Sequence, residues 1–410
     1  MPEERGLVRE IAWRDIFPWL SLARVARLAM APRLVLLAAL GLLLTSGGWR
    51  IIGELYSSSD DIKQLGWSVA EETWPWQAQI EAVQPLTSFE SFHPAYSPII
   101  QTAKWISSPV RNMFFAGSNE AGVRWVPFSY ALLCAIWAIG VWAVIGGAIT
   151  RIAALALARE SRLGFVGGLQ FGLAKWPAFF LAPILPLIGV LALGLVVGVF
   201  YGLIMRANAG VLIMSVFWPL MLGAGVVMAI LLLGLTFGWA LMWPTISVEG
   251  TDSFDALSRS YSYTFQRPLY YLFYVIVAGL IGLLAATVVW LLVHWTIQLS
   301  FWSASWGSGA ERMTQIIQDS NNGDQVGAYG VGLAILKFWN GCVIMLGSAY
   351  LFSYFWSAAT GIYFLLRQKV DGAEPDNIAV DPEQETFSLP PLKNDDGVPQ
   401  VDDPAVKPSA

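Results

Sequence analysis

Six stretches, at about 34–53, 129–149, 179–203, 211–238, 271–296 and 341–365, are apolar, and within them Arg50 is the only Lys, Arg, Asp or Glu. Each is long enough, as a helix, to cross a hydrocarbon layer about 30 Å thick. In lipid every backbone N–H and C=O must find its partner within the chain, so such runs fold as helices. Hydrophobic residues make up 56% of the 410-residue chain and charged residues only 13%. The charged share is about half the usual value, and a water-soluble domain could not hide that much apolar surface. The fold class expected is all-α: a polytopic helical membrane bundle of about six transmembrane helices. Arg50 near the end of the first run can snorkel to the headgroups. The basic N-terminal flank and the run Leu34–Leu44 resemble a signal peptide in outline. The flank is too long and too amphipathic for one, so an uncleaved span is expected.

The formal net charge of -5 comes from the end of the chain. Residues 370–410 hold ten acidic and two basic side chains, a balance of -8, and the other 369 carry 22 basic and 19 acidic, or +3. The chain therefore divides into a membrane domain, 1–369, and an acidic, Pro-rich tail, 370–410, expected to be disordered. Orientation follows from Lys and Arg. Arg5, Arg9, Arg14, Arg24, Arg27 and Arg33, then Arg151, Arg159, Arg162 and Lys175, then Arg259 and Arg267, then Arg367 and Lys369 all fall on one side of a six-span chain. That side is expected to be cytoplasmic, with both termini on it, in a bacterial inner membrane.

The stretch DSFDALSRSYSYTFQRP, from Asp252 to Pro268, precedes the fifth run. Asp252 can cap a helix with Asp255 in its first turn. Phe254, Leu257, Tyr261 and Phe265 recur at helical spacing, opposite Asp255, Ser258, Arg259 and Ser262. This predicts an amphipathic helix lying in the interface, ended by Pro268, where the chain turns into the bilayer. The pattern occurs twice more. Phe165, Leu169 and Leu173 precede Lys175-Trp176-Pro177; Leu22, Val25 and Leu28, with Arg24 and Arg27 off their face, precede Pro32-Arg33. Three units result, each a cytoplasmic interfacial helix followed by a two-span hairpin.

Two outer loops are expected. The larger, about 54–128, contains Trp67, Trp74, Trp76, Trp105 and Trp125, which suit short helices on the outer headgroups. The smaller, about 299–330, is rich in Gly, Ser and Asn and reads as a mobile loop around one short helix.

Motifs for catalysis are absent from the sequence: no HExxH, Walker loop, GxSxG or His/Cys cluster. No catalytic, cofactor-binding or metal residues are assigned, no cofactor and no nucleic-acid partner are expected, and the chain reads as no enzyme. Cys134 and Cys342 lie in apolar runs as packing residues, and Ser57–Asp61 reads as a solvated turn lacking Ca2+-loop spacing. The one candidate polar site is His294 near the outer end of the fifth run with Lys337 and Asn340 near the outer start of the sixth. These form either an outward-facing polar site or groups snorkelling beside Trp290, Trp295 and Trp339. No span has Asp or Glu near its middle, which weighs against an ion-coupled carrier. Gly194, Gly198 and Gly202 lie at GxxxGxxxG spacing. They serve either homo-oligomerisation or a membrane-protein partner, or else packing within the chain.

Glu249-Gly250, Asp255-Ala256-Leu257 and Arg259-Ser260, followed by a basic residue and a span, resemble a segment of polytopic bacterial membrane proteins related to the membrane domain of glycerophosphodiester phosphodiesterases. The stretch QFGLAKWPAFFLAPILPL resembles the corresponding earlier helix, and the FDALSRSYSY…RP string is similar to uncharacterised six-span proteins of planctomycete-type bacteria. The resemblance covers about 60 residues. It implies a helical bundle with interfacial helices and no catalysis, because in those enzymes the active site belongs to a separate soluble domain. The function expected is a non-enzymatic scaffold or accessory protein of the inner membrane. The alternative is a channel or transporter for a small or amphiphilic substrate.

Overall fold

A computed structural model describes residues 17–64, 97–117, 124–159, 163–322, 326–374, 376–379, 392–395 and 398–401. After a 3-10 turn at Pro18–Leu20, the helices are α1 (Ser21–Ala29), α2 (Pro32–Leu55), α3 (Asp60–Gln64), α4 (Ser97–Gly117), α5 (Trp125–Ala158), α6 (Phe165–Ala174) and α7 (Trp176–Ile204). They continue as α8 (Asn208–Val216), α9 (Trp218–Glu249), α10 (Ser253–Gln266), α11 (Pro268–Ser308), α12 (Ala310–Asn322) and α13 (Gly327–Asp371). A small antiparallel hairpin pairs β1 (Leu392–Asp395) with β2 (Val398–Val401). Among the described residues, six helices are long and apolar enough to cross a membrane: α2, α5, α7, α9, α11 and α13. The chain is an all-α polytopic bundle.

Pro32, Pro177 and Pro268 each stand in the first turn of a long helix, where the missing N–H costs nothing. A short helix precedes each, so the Pro-marked elbows recur as α1–α2, α6–α7 and α10–α11. A further proline corrects one boundary. The fourth run is expected from about residue 211, but the chain breaks at Phe217 and the spanning helix starts at Trp218, with Pro219 in its first turn. Residues 208–216 form the separate helix α8.

The long helices exceed what a bilayer needs. At 1.5 Å per residue, α5 with 34 residues and α13 with 45 are about 51 Å and 68 Å long. Parts of three of them form a protein-encased zone. Ile145–Leu155 of α5, Leu241–Val248 of α9 and Gly347–Arg367 of α13 are buried almost throughout. Indole rings fill the space between them. Trp243 and Trp356 stack at 4.1 Å, Trp142 stacks on Phe352 at 4.6 Å, and Phe179 of α7 meets Trp243 edge-on. By contrast α7, α8 and the first half of α9 display apolar side chains such as Leu191, Leu195, Leu212 and Leu220, the surface expected against lipid.

Aromatic donors tie neighbouring helices by their carbonyls. Trp49 Nε1 donates to Cys134 O at 2.8 Å, Trp243 Nε1 to Phe179 O at 2.8 Å, and Tyr354 OH to Ala278 O at 2.6 Å. With no water at such depth, each bond satisfies a donor that otherwise costs free energy.

The short helices are more deeply embedded than helices resting on a surface. α1 follows the expected pattern, burying Leu22 and Val25 against Gly361 of α13. α10 buries Ala256, Ser260, Tyr263 and Thr264; of the expected stripe Leu257 and Tyr261 are half-buried against the core, while Phe254 and Phe265 are exposed. α6 buries Gly168, Phe171 and Gly172, while Leu173 is exposed. Small residues win because they allow close backbone approach. A Cβ at Gly172 would stand 2.2 Å from Val144 O of α5, and one at Gly234 of α9 would stand 2.2 Å from the Tyr261 ring.

Two further expectations are corrected. The segment 299–330 is largely helical: α11 runs on to Ser308, Gly309 at φ 85° separates it from α12, and α13 begins at Gly327. The tail does not leave the body at residue 370. Ile378 is buried and Ala379 N donates to Val248 O at 2.9 Å. Backbone pairing and one apolar anchor outweigh the acidic composition there. Residues 375, 380–391, 396–397 and 402–410 of the tail lie outside the described residues, as do Trp67, Trp74 and Trp76. Trp105 of α4 is buried against Trp49.

Candidate functional site

Charged side chains gather where the encased ends of α5, α9 and α13 converge. Each apolar run ends in one: Arg151 in α5, Glu249 in α9, Arg367 in α13. Glu249 is the last residue of α9, and Gly250, at φ 68°, closes the helix in the left-handed region. This places the Glu249 carboxylate where three donors reach it. Arg367 Nε lies 2.7 Å from Oε1, Arg259 of α10 lies 3.7 Å away, and Tyr363 OH donates at 3.1 Å. Arg259 also bridges Asp255 one turn back on α10 at 3.2 Å. Burial works against the Arg259 charge, but Glu249 and Asp255 outweigh it and hold the guanidinium above its ordinary pKa.

The cluster extends in two directions. Tyr263 of α10 donates to Asp371 at the end of α13, and its ring lies 5.6 Å from Tyr363. Burial first, then that bond to Asp371, pushes the Tyr263 hydroxyl above its ordinary pKa. Arg367 Nη1 donates to Asn377 O at 2.7 Å, which fastens the docked segment after α13. On the other side Arg151, 1% exposed, donates from Nη1 to Ser247 O at 2.8 Å and lies 4.5 Å over the Phe171 ring. Thr150 and Ser247 share a hydroxyl bond at 2.6 Å, and Lys175 Nζ donates to Gly250 O at 2.7 Å. Three cations therefore sit at carbonyls near the C-terminal ends of helices or the chain just beyond, where the helix dipole favours positive charge.

Chemically this is a clasp. Glu249 is paired with two guanidinium groups and accepts a hydrogen bond from a phenol, a largely buried charge held by its partners. In the sequence Arg151 and Arg367 stood out as flanking charges, Asp255 and Arg259 as the polar face of a helix, and Glu249, Asp255 and Arg259 as parts of a resemblance; nothing there joined them into one cluster. The signal that points to them is a charged residue at the end of the second span of each unit.

His294, Lys337 and Asn340 lie elsewhere, on the packed pair α11 and α13. His294 is buried, as is Gln298 one turn on, and Lys337 and Asn340 are half-buried. Nearby, Trp290 and Val293 face Gly347, and Leu336 and Val343 border the apolar cluster of Ile297, Phe301, Met313 and Ile317. The glycine stripe is open: a Cβ at Gly198 or Gly202 would meet nothing within 4 Å, and one at Gly194 only Met228 Sδ at 3.7 Å. Among the described residues no group of three His, Cys, Asp or Glu is placed to hold a metal.

The fold and this site define a multi-pass α-helical membrane protein whose helices are locked at one end by a buried polar clasp. Comparison with protein-family models, curated proteins and solved structures finds no match.

Proposed function

We propose that the protein is a non-enzymatic scaffold or accessory protein of a bacterial inner membrane, with both termini cytoplasmic and the clasp on the cytoplasmic side. The observation that carries this reading is the close ring packing between α5, α9 and α13. Where α5, α9 and α13 meet, Trp142, Trp243, Trp356 and Phe179 occupy the interior at ring-contact distances. A solute path between these three helices would require the rings to separate. Side chains at the site are engaged in holding helix ends together, a task suited to a rigid platform. The Lys and Arg distribution supports the orientation, and the likeness to the phosphodiesterase membrane domain supports a role for the bundle itself rather than for chemistry.

The test is solute flux. Full-length protein reconstituted in liposomes is expected to pass ions and small amphiphiles no faster than protein-free liposomes do. Substrate-specific flux that disappears in His294→Ala or Lys337→Ala overturns the reading in favour of a transporter.

A further inference from the structure

The elbow between α1 and α2 forms one wall of a groove of about 520 Å³. α1 buries Leu22, Val25 and Ala29, so helical periodicity turns Arg24 and Arg27 away from that face. The two-residue elbow then brings Arg33, in the first turn of α2, to the same groove. Leu28 and the last turns of α5, at Ala156 and Leu157, supply apolar walls. Among the described residues, no Asp or Glu lines it. Arg33 is fixed in place by donation from Nη1 to Leu163 O at 2.8 Å. The N-terminal end of α2 opens there, adding the positive end of a helix dipole to three guanidinium groups.

We propose that this groove seats the headgroup phosphate of an anionic phospholipid. Guanidinium groups present paired donors to phosphate oxygens, and basic pockets between spans suit anionic headgroups. The volume lies in the range of ligand sites and exceeds what an inorganic phosphate fills. The apolar walls favour a lipid over a free ion. Met30 at the elbow is 43% exposed and Leu36, one turn along α2 from Pro32, is 54% exposed, offering acyl chains a surface beside the charges. A free phosphate would gain nothing from these side chains.

The experiment titrates full-length protein in a neutral detergent with short-chain phosphatidylglycerol, short-chain phosphatidylcholine or inorganic phosphate. Thermal unfolding and native mass spectrometry provide the readouts. Phosphatidylglycerol is expected to bind saturably and raise the unfolding midpoint, while the other two leave it unchanged. Replacing Arg24, Arg27 and Arg33 together by Gln is expected to weaken binding about a hundredfold. If that variant fails to fold, Arg27→Gln serves instead: Arg27 is exposed, and about fivefold weaker binding is expected. Equal stabilisation by phosphatidylcholine or by phosphate, or unchanged phosphatidylglycerol affinity in Arg27→Gln, overturns the proposal.

Discussion

Glu249 and Arg367 meet at 2.7 Å, joining the last residue of α9 to the final turns of α13. Both are largely withdrawn from water, at 14% and 7% side-chain exposure. A pair in such surroundings is costly to desolvate and costlier to break, because removing one partner strands the other.

Glu249→Gln or Arg367→Gln is therefore expected to destabilise the bundle by about 3–5 kcal/mol. The double variant is expected to lose less than the sum of the two, since neither charge is left alone. Thermal unfolding in detergent measures both. Single variants that melt like the unmodified protein would show that the clasp contributes nothing to stability.

Glycines at close helix contacts and on the open stripe should behave oppositely. A Cβ at Gly282 would stand 2.3 Å from the Tyr354 ring, whose hydroxyl bonds Ala278 O. Gly282→Ala is expected to cost about 1–3 kcal/mol, by forcing side chains and backbone apart. Gly198→Ala meets nothing within 4 Å and should change stability by less than about 0.5 kcal/mol. If Gly198→Ala proves the more damaging in native membranes but not in detergent, the stripe is packing against another chain.

The orientation is open to labelling. Ser258 is exposed on α10, and the two native cysteines are unpaired. Ser258→Cys in a Cys134→Ala, Cys342→Ala background should react with a membrane-impermeant maleimide only after lysis. Reaction in intact cells would place α10 outside and invert the orientation.

Alkali should loosen the contact between α9 and α10. Tyr261 donates to Leu231 O at 2.6 Å, and burial pushes its hydroxyl from 10.0 up to about 12. A raised acid pKa means the folded state holds the proton more tightly. The stability it lends is complete below pH 10.0 and is lost as pH rises towards about 12. Tyr261→Phe should flatten that part of the stability profile, and an unaltered profile would remove Tyr261 as its cause.

How far the sequence reaches is clearest at particular residues. Pro32, Pro177 and Pro268 marked the elbows correctly, because a missing N–H is a local property. Pro219 marks a further break inside what reads as one continuous run, since hydropathy does not register a backbone interruption. Leu22 and Val25 were legible as the buried face of α1. On α10 the larger apolar stripe was the expected face, yet only its Leu257 and Tyr261 pack inward, and the fully buried residues are Ala256, Ser260, Tyr263 and Thr264. The choice depended on Gly234 and Gly238 of the partner helix, which admit Tyr261 and Thr264.

The sequence alone determined that the chain is a bundle of about six apolar helices, because each span is set by transfer of its own side chains into lipid and by hydrogen bonds within its own backbone. Which helices are central, and which charges meet, was decided by tertiary structure. Tyr363 and Glu249 are 114 positions apart, and nothing local to either names the other. Their meeting follows from the convergence of α9 and α13 around stacked indole rings, a result of shape complementarity between distant segments.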